Sequence, residues 1–255
     1  MTMRNIKLTI QYDGSSYSGW QKQPGRKTIE AEIIQAIESL TCIENVEVNG
    51  ASRTDAGVSA LGQVANVRLD TPIPTERLAK AISHYLPSEI VVTEAVDVPD
   101  DFDAIKDAKN KMYRYSIYTG RTRPVMQISH CWHRPGKLDI EPMQQAAEKL
   151  IGTKDFKSFA TACDKRSSSV RTLFRCDVSQ NSEWIYIEVE ADGFLYNMVR
   201  NIVGTLVEVG RGRWTSASPV ESQPKKIEEI LEAKSRTAAG PIAPAEGLCL
   251  MWIKY

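Results

Sequence analysis

The sequence predicts an α+β fold made of two split-βαβ-like halves. Three observations lead there. Segments of strict apolar–polar alternation mark half-buried strands. Apolar residues at helical spacing lie between them. The same strand–helix order returns, more loosely, in the second half of the chain. The halves are expected at residues 1–105 and 106–255, with a soft boundary near 98–107. They should pack into one extended, mostly antiparallel sheet with helices on one side and a central cleft.

The first half is read as follows. Ile6, Leu8, Ile10 and Tyr12 alternate with polar residues, so 6–12 is a strand. Residues 13–25 are rich in Gly and Ser and form a loop. Thr28 can cap a helix with Glu30 and Glu32 in its first turn, and Ile29, Ile33, Ile37 and Leu40 line one face of it. Strands follow at 46–50 and 64–69. Leu78, Ala81, Ile82, Tyr85 and Leu86 give a second helix, stopped by Pro87, and 89–98 is a Val- and Ile-rich strand. This strand–helix–strand–strand–helix–strand order is the ferredoxin- or RRM-like split βαβ pattern.

The second half has a strand at 111–118, a helix from Asp139 closed by Gly152, and strands at 172–179 and 183–191 turning near Asn181. A long apolar helix carries Leu195, Met198, Val199, Ile202, Val203 and Leu206. A short helix at 226–233 and a strand at 248–255 complete the half. Residues 216–224 and 238–246 are read as loops from their Pro, Ser and Gly content.

A chain of 255 residues with 42% hydrophobic and 25% charged residues is ordinary globular material, which excludes a disordered chain. No apolar run approaches the roughly 18 residues of a membrane span, and no signal-peptide-like segment opens the sequence, so the expected address is the cytoplasm. Five widely spaced cysteines suggest neither a disulfide framework nor a zinc ribbon. The run His130-Cys131-Trp132-His133 reads as a strand rather than a metal site, because only His84 remains as a further histidine. Net charge is zero, so any nucleic-acid binding must use locally concentrated cations.

Three places can carry chemistry. The loop Ala51-Ser52-Arg53-Thr54-Asp55-Ala56-Gly57-Val58 holds a cation, a hydroxyl and a carboxylate between two strands. An aspartate, with a reference pKa of roughly 3.9, is ionised at neutral pH and suits nucleophilic or general-base work. By pattern alone, a capped turn in which Asp55 pairs with Arg53 is an equally good reading. In Lys111-Met112-Tyr113-Arg114-Tyr115, two tyrosines face one side of a strand, either as a stacking platform for RNA bases or, the better bet from these residues alone, as a core face. Arg200 interrupts the apolar helix, and a buried arginine needs a partner, a carboxylate or a phosphate. Lys165, Arg166, Arg171, Arg211 and Arg213 are further cations, with solvated surface the simpler reading for Lys165 and Arg166.

Together these segments resemble the tRNA pseudouridine synthase A family. The resemblance is carried by Arg-Thr-Asp-Ala-Gly-Val (53–58), Lys-x-Tyr-Arg-Tyr (111–115) and Met-Val-Arg-Asn-Ile-Val-Gly-Thr-Leu (198–206). Tyr12-Asp13-Gly14, Gly19-Trp20-Gln21, residues 207–212 and Ala243-Pro244-Ala245-Glu246-Gly247-Leu248 add to it, so that it spans nearly the whole chain. The resemblance implies an isomerase that converts uridine to pseudouridine in the tRNA anticodon arm, acting as a homodimer without metal or organic cofactor. It implies that Asp55 is the catalytic aspartate and nucleophile, Arg200 its partner, and Tyr113 the tyrosine that stacks on the target base. Arg53 would help to flip the base, and Leu248 would close the base pocket. Ser52, Ser59 and Ile105 depart from the family's usual Gly, His and Arg. The residues themselves leave two other classes open: a noncatalytic RNA-binding module, and a hydrolase or phosphotransferase using Asp55. The last is disfavoured because Gly57 stands where a second metal-binding carboxylate belongs.

Overall fold

The computed structural model describes residues 3–161, 164, 166–212 and 222–255. Lys165, Cys163, Arg213 and most of the loop expected at 216–224 lie outside them. The fold is α+β, and its strands pair antiparallel except for two short parallel contacts, β10 with β3 and β6 with β5. The chain divides into two compact units. The first is Met1–Lys109 with Cys249–Tyr255, and the second is Asn110–Leu248. The closing strand thus returns to the first unit, a long-range assignment that no local pattern carries.

In the first unit, β1 (Arg4–Tyr12) runs between β3 (Ser59–Leu69) and β4 (Ile90–Val98), antiparallel to both, and β2 (Val48–Gly50) pairs with the far side of β3. The order β4-β1-β3-β2 is the split βαβ arrangement. Alternation along β1 buries Ile6, Leu8, Ile10 and Tyr12. Against that core pack Ile29, Ile33 and Ile37 of α1 (Ile29–Thr41) and Leu78 and Ile82 of α2 (Thr75–His84). β3 starts five residues before the strand expected at 64–69. Residues 59–63 lack a β-rich composition, yet Ala60 and Gln63 pair with β1, and Ser59 and Ala60 with β10 (Leu248–Lys254).

In the second unit, β9 (Trp184–Ala191) lies between β5 (Asn110–Tyr118) and β8 (Val170–Asn181), antiparallel to both. β7 (Gly152–Asp155) extends β8, and β6 (Trp132–His133) adds to β5. Helices α3 (Ile140–Glu148) and α4 (Met198–Gly210) pack together. Two expectations are corrected here. Gly152 does not close α3: it has φ +102° and opens β7. α5 (Ser222–Ala233) begins before 226 and takes Pro224 into its first turn, where a missing N–H costs nothing.

Candidate active site

The loop that carries Asp55 joins β2 to β3, and backbone bonds fix it from both sides. Ala51 N donates to Val64 O at 2.8 Å. Gln63, fully buried on β3, brackets Ser52: its Nε2 donates to Ser52 O at 2.6 Å and its Oε1 accepts from Ser52 N at 3.3 Å. Thr54 is buried, with its hydroxyl 2.8 Å from that of Tyr12 and its carbonyl accepting from Trp20 N at 3.0 Å. The turn after Asp55 is closed by backbone, Val58 N donating to Asp55 O at 3.1 Å. Two glycines make this path possible. Gly57 takes φ +82°, a conformation L-residues avoid. Gly19, at φ +94°, lies so close that a Cβ there would sit 2.7 Å from Thr54 O. Within this frame Asp55 is half-buried and Arg53 exposed.

The departures from the family pattern acquire physical content. Ser52 keeps a negative φ, so a side chain costs no backbone strain there. Ser59 Oγ accepts from Gly14 N at 3.1 Å, tying the start of β3 to the Asp13-Gly14 turn. Ile105 is exposed.

The second unit holds the other three residues. Tyr113 lies on β5 opposite Val189, and its ring meets Phe194 edge-on, with centroids 5.1 Å apart. Arg200 stands in the first turn of α4. Its Nε donates to Ala243 O at 2.8 Å and its Nη1 to Asn197 Oδ1 at 3.0 Å, while Ala243 N donates back to Arg200 O at 3.1 Å. The partners in these bonds are neutral oxygens, and they hold the guanidinium in place. Asn197, at φ +60°, is itself tied by its Nδ2 to Thr161 Oγ1 at 2.8 Å.

The segment 243–248 is clasped between α4 and β5. Tyr115 OH donates to Pro244 O at 2.7 Å, Ser116 N to Gly247 O at 2.8 Å, and Leu248 N to Ala245 O at 2.9 Å. Leu248 is buried at the end of this clasp. Tyr115 is completely buried, and burial pushes its phenol pKa far up. Tyr113 is buried as well, so the core reading holds for both rings, and Tyr115 supports the 243–248 segment.

Arg53 and Asp55 thus share one loop in the first unit, and Tyr113, Arg200 and Leu248 share the β5–α4 framework of the second. Of the other cations, Arg211 pairs with Glu208 at 2.8 Å, Arg166 with Asp164 at 2.7 Å, and Arg171 donates to Ser168 O and Val170 O. Gln63 and Phe194 support the candidate residues without standing among the candidates read from the sequence. Gln63 had a signal: it is polar between Ala60 and Val64 in a strand whose neighbours are buried. Among the described residues, no group of three or more His, Cys, Asp or Glu is placed to hold a metal ion. His133 Nε2 lies 3.0 Å from Gly120 O.

Comparison with known proteins identifies the family of the chain. The family model for tRNA pseudouridine synthase matches residues 8–105 and 146–255. A tRNA pseudouridine synthase A from Caldicellulosiruptor saccharolyticus is 43% identical over 253 residues, covering 99% of this chain and 100% of the relative. Relatives of the same name from Thermoanaerobacter sp. (strain X514) and Moorella thermoacetica are 43% and 45% identical, covering 99% and 98% of the chain and 100% and 99% of their own lengths. Among solved structures, a chain of the archaeal box H/ACA sRNP Nop10–Cbf5 complex is similar at a TM-score of 0.36 and 11% identity, over 91% of this chain and 59% of that one, too distant to bear on the site.

Proposed function

Because the chain belongs to the tRNA pseudouridine synthase family, and is therefore an isomerase that converts uridine to pseudouridine in tRNA, we propose that Asp55 is the carboxylate that performs this reaction in the anticodon arm. The observation that carries the reading is the loop itself. Its backbone is held by Gln63, Trp20 and Val64, its Thr54 hydroxyl by Tyr12, and Val58 closes the turn on the carbonyl of Asp55. A nucleophile held this way loses little freedom on reaching its target, the condition for a large orientation effect.

Tyr113 is the platform for the extruded base in this reading. Flipping a nucleotide costs a few kcal/mol, and stacking on an aromatic ring recovers about 1–3 kcal/mol. The edge-on Phe194 holds the tyrosine ring in one orientation. Arg200 is the cation that pairs with Asp55 in the working site, pre-set by its bonds to Ala243 and Asn197. Arg53, exposed beside Asp55, assists the flip, and Leu248 closes the apolar wall of the base pocket. The enzyme acts as a cytoplasmic homodimer, an arrangement in which two neutral protomers pool their local cations on one RNA.

The test is release of tritium from tRNA labelled at uridine C5, for wild type and Asp55→Ala, followed by sequencing of the modified positions. Wild type releases label from anticodon-arm uridines, and the variant binds tRNA but releases none. Full activity in Asp55→Ala would sink the assignment of the aspartate. Modification confined to another arm would sink the substrate assignment. Sedimentation at working concentration checks the dimer.

A further inference from the structure

Three aromatic residues of the second unit step outward from the core. Tyr113 on β5 is 5% exposed. Phe194 meets its ring edge-on and is half-buried. Tyr196, two residues further, is 45% exposed, while Leu195 between them is buried and fixes the segment to the core. The backbone of Tyr196 is pinned on both sides. Its N–H donates to Asp164 Oδ2 at 2.7 Å, and its carbonyl accepts from Thr161 N at 3.1 Å and from Thr161 Oγ1 at 3.3 Å. Arg166 pairs with the same Asp164 oxygen at 2.7 Å, so the acid beneath the tyrosine presents no unbalanced charge to an approaching RNA. The next residue, Asn197, accepts from Arg200 Nη1 at 3.0 Å. Tyr196 thus links, on a fixed backbone, the Phe194 ring that touches Tyr113 and the Asn197 amide that holds Arg200. Among the described residues its ring meets no other ring or cation, and its hydroxyl makes no hydrogen bond. Packing of the core therefore does not account for this side chain. A ring on a pinned backbone loses little further freedom when a ligand meets it, and every base offers a π-face that suits it.

We propose that Tyr196 stacks on the base next to the target uridine in the tRNA strand. The proposal rests on the reading of Tyr113 as the platform for the extruded uridine. When that uridine leaves the stack, its neighbour is left with one bare face, and the loss of stacking is part of what makes flipping costly. A tyrosine held at the surface covers the bare face, restores part of the stacking and keeps the uridine from slipping back. Exposure sorts the two roles: the buried Tyr113 takes the uridine and the exposed Tyr196 its neighbour. Stacking needs the π-face and not the hydroxyl, which fits a phenol that bonds to nothing in the protein.

The experiment measures kcat/KM for tritium release from full-length tRNA labelled at uridine C5. The substrates are intact tRNA and tRNA with an abasic ribose on the 5′ or on the 3′ side of the target uridine. On intact tRNA, Tyr196→Ala should lower kcat/KM roughly 5- to 150-fold, the equivalent of the 1–3 kcal/mol that one stacked base contributes. Tyr196→Phe and Tyr196→Trp, which keep a ring, should hold the wild-type value. On one of the two abasic tRNAs the gap between wild type and Tyr196→Ala should close, because the base that the ring covers is gone. A merely structural tyrosine would not make the loss depend on a missing base. The ring is exposed, so urea unfolding of the alanine variant should match wild type. If Tyr196→Ala is as active as wild type on intact tRNA, or loses equally on all the substrates, the proposal is overturned. Tyr113→Leu in the same assay checks the parent reading separately. Its loss should be the same on every tRNA, and full release by that variant would remove Tyr113 as the platform while leaving the Tyr196 comparison to stand or fall by itself.

Discussion

Replacing Gly204 by alanine tests how the 240–248 segment keeps Arg200 in place. Gly204 sits in the second turn of α4, and a Cβ there would lie 1.7 Å from Pro241 O and 3.3 Å from Ala243 N. Both obstacles are backbone, so no rotamer change relieves the clash, and the segment has to move off the helix. Three bonds are then stretched: Arg200 Nε to Ala243 O, Ala243 N to Arg200 O, and Gly240 N to Thr205 Oγ1 at 2.9 Å. At about 0.5–1.5 kcal/mol each they account for roughly 1.5–4.5 kcal/mol. Overpacking adds about 1–3 kcal/mol, and the better helix propensity of alanine returns about 1 kcal/mol. The net expectation is a loss of roughly 1.5–6.5 kcal/mol in urea unfolding. At a temperature where the variant is folded, kcat/KM should also fall, because the guanidinium loses its carbonyl anchor. A stability within about 0.5 kcal/mol of wild type would refute the reasoning, since it would mean that the segment yields without cost.

Gln63→Leu removes the amide that brackets Ser52, leaving a half-buried carbonyl and N–H without that partner; stability should drop by about 1–3 kcal/mol. In steady-state assays its kcat should fall more than its KM rises, since the loop that presents Asp55 is loosened. Lys111→Met carries a pH signature. Burial first, and the charge of Arg166 second, push the Lys111 pKa down to about 8 from an ordinary 10.5. Below pH 8 the lysine is charged in both folded and unfolded states, and the cost of withdrawing it from water is fully present. Between pH 8 and 10.5 the folded state sheds a proton that the unfolded state keeps, so wild-type stability from this group rises with pH. The variant should therefore unfold at higher urea than wild type at pH 7, with the gap closing towards pH 10; a gap that is constant with pH would contradict it.

The parts of the fold legible in the sequence are those whose signal is local. β1, β5 and β9 alternate over eight or nine residues, and the structure has them within about two residues of their expected ends. What escaped depends on distant partners. Residues 59–63 become strand because β1 and β10 pair with them, and β7 (Gly152–Asp155) exists because Val170, Arg171, Thr172 and Leu173 pair with it. The return of β10 to the first unit has no local mark at all.

The same division holds for the candidate site. Asp55, Tyr113 and Arg200 were legible because each sits in a motif of distinctive chemistry. Their supports were not, because Gln63 acts through its amide on the Ser52 backbone eleven residues away, and Pro244 through a carbonyl that accepts from Tyr115, 129 residues away. Arg200 shows why this matters. Read as an arginine in an apolar helix, it demanded an anion. Among its partners the structure gives it the Ala243 carbonyl and the Asn197 amide oxygen, which offset part of its desolvation. These two bonds anchor the guanidinium and so fix where an anion that meets it has to lie. Gly204, by letting the 241–243 backbone approach α4, makes that anchoring possible.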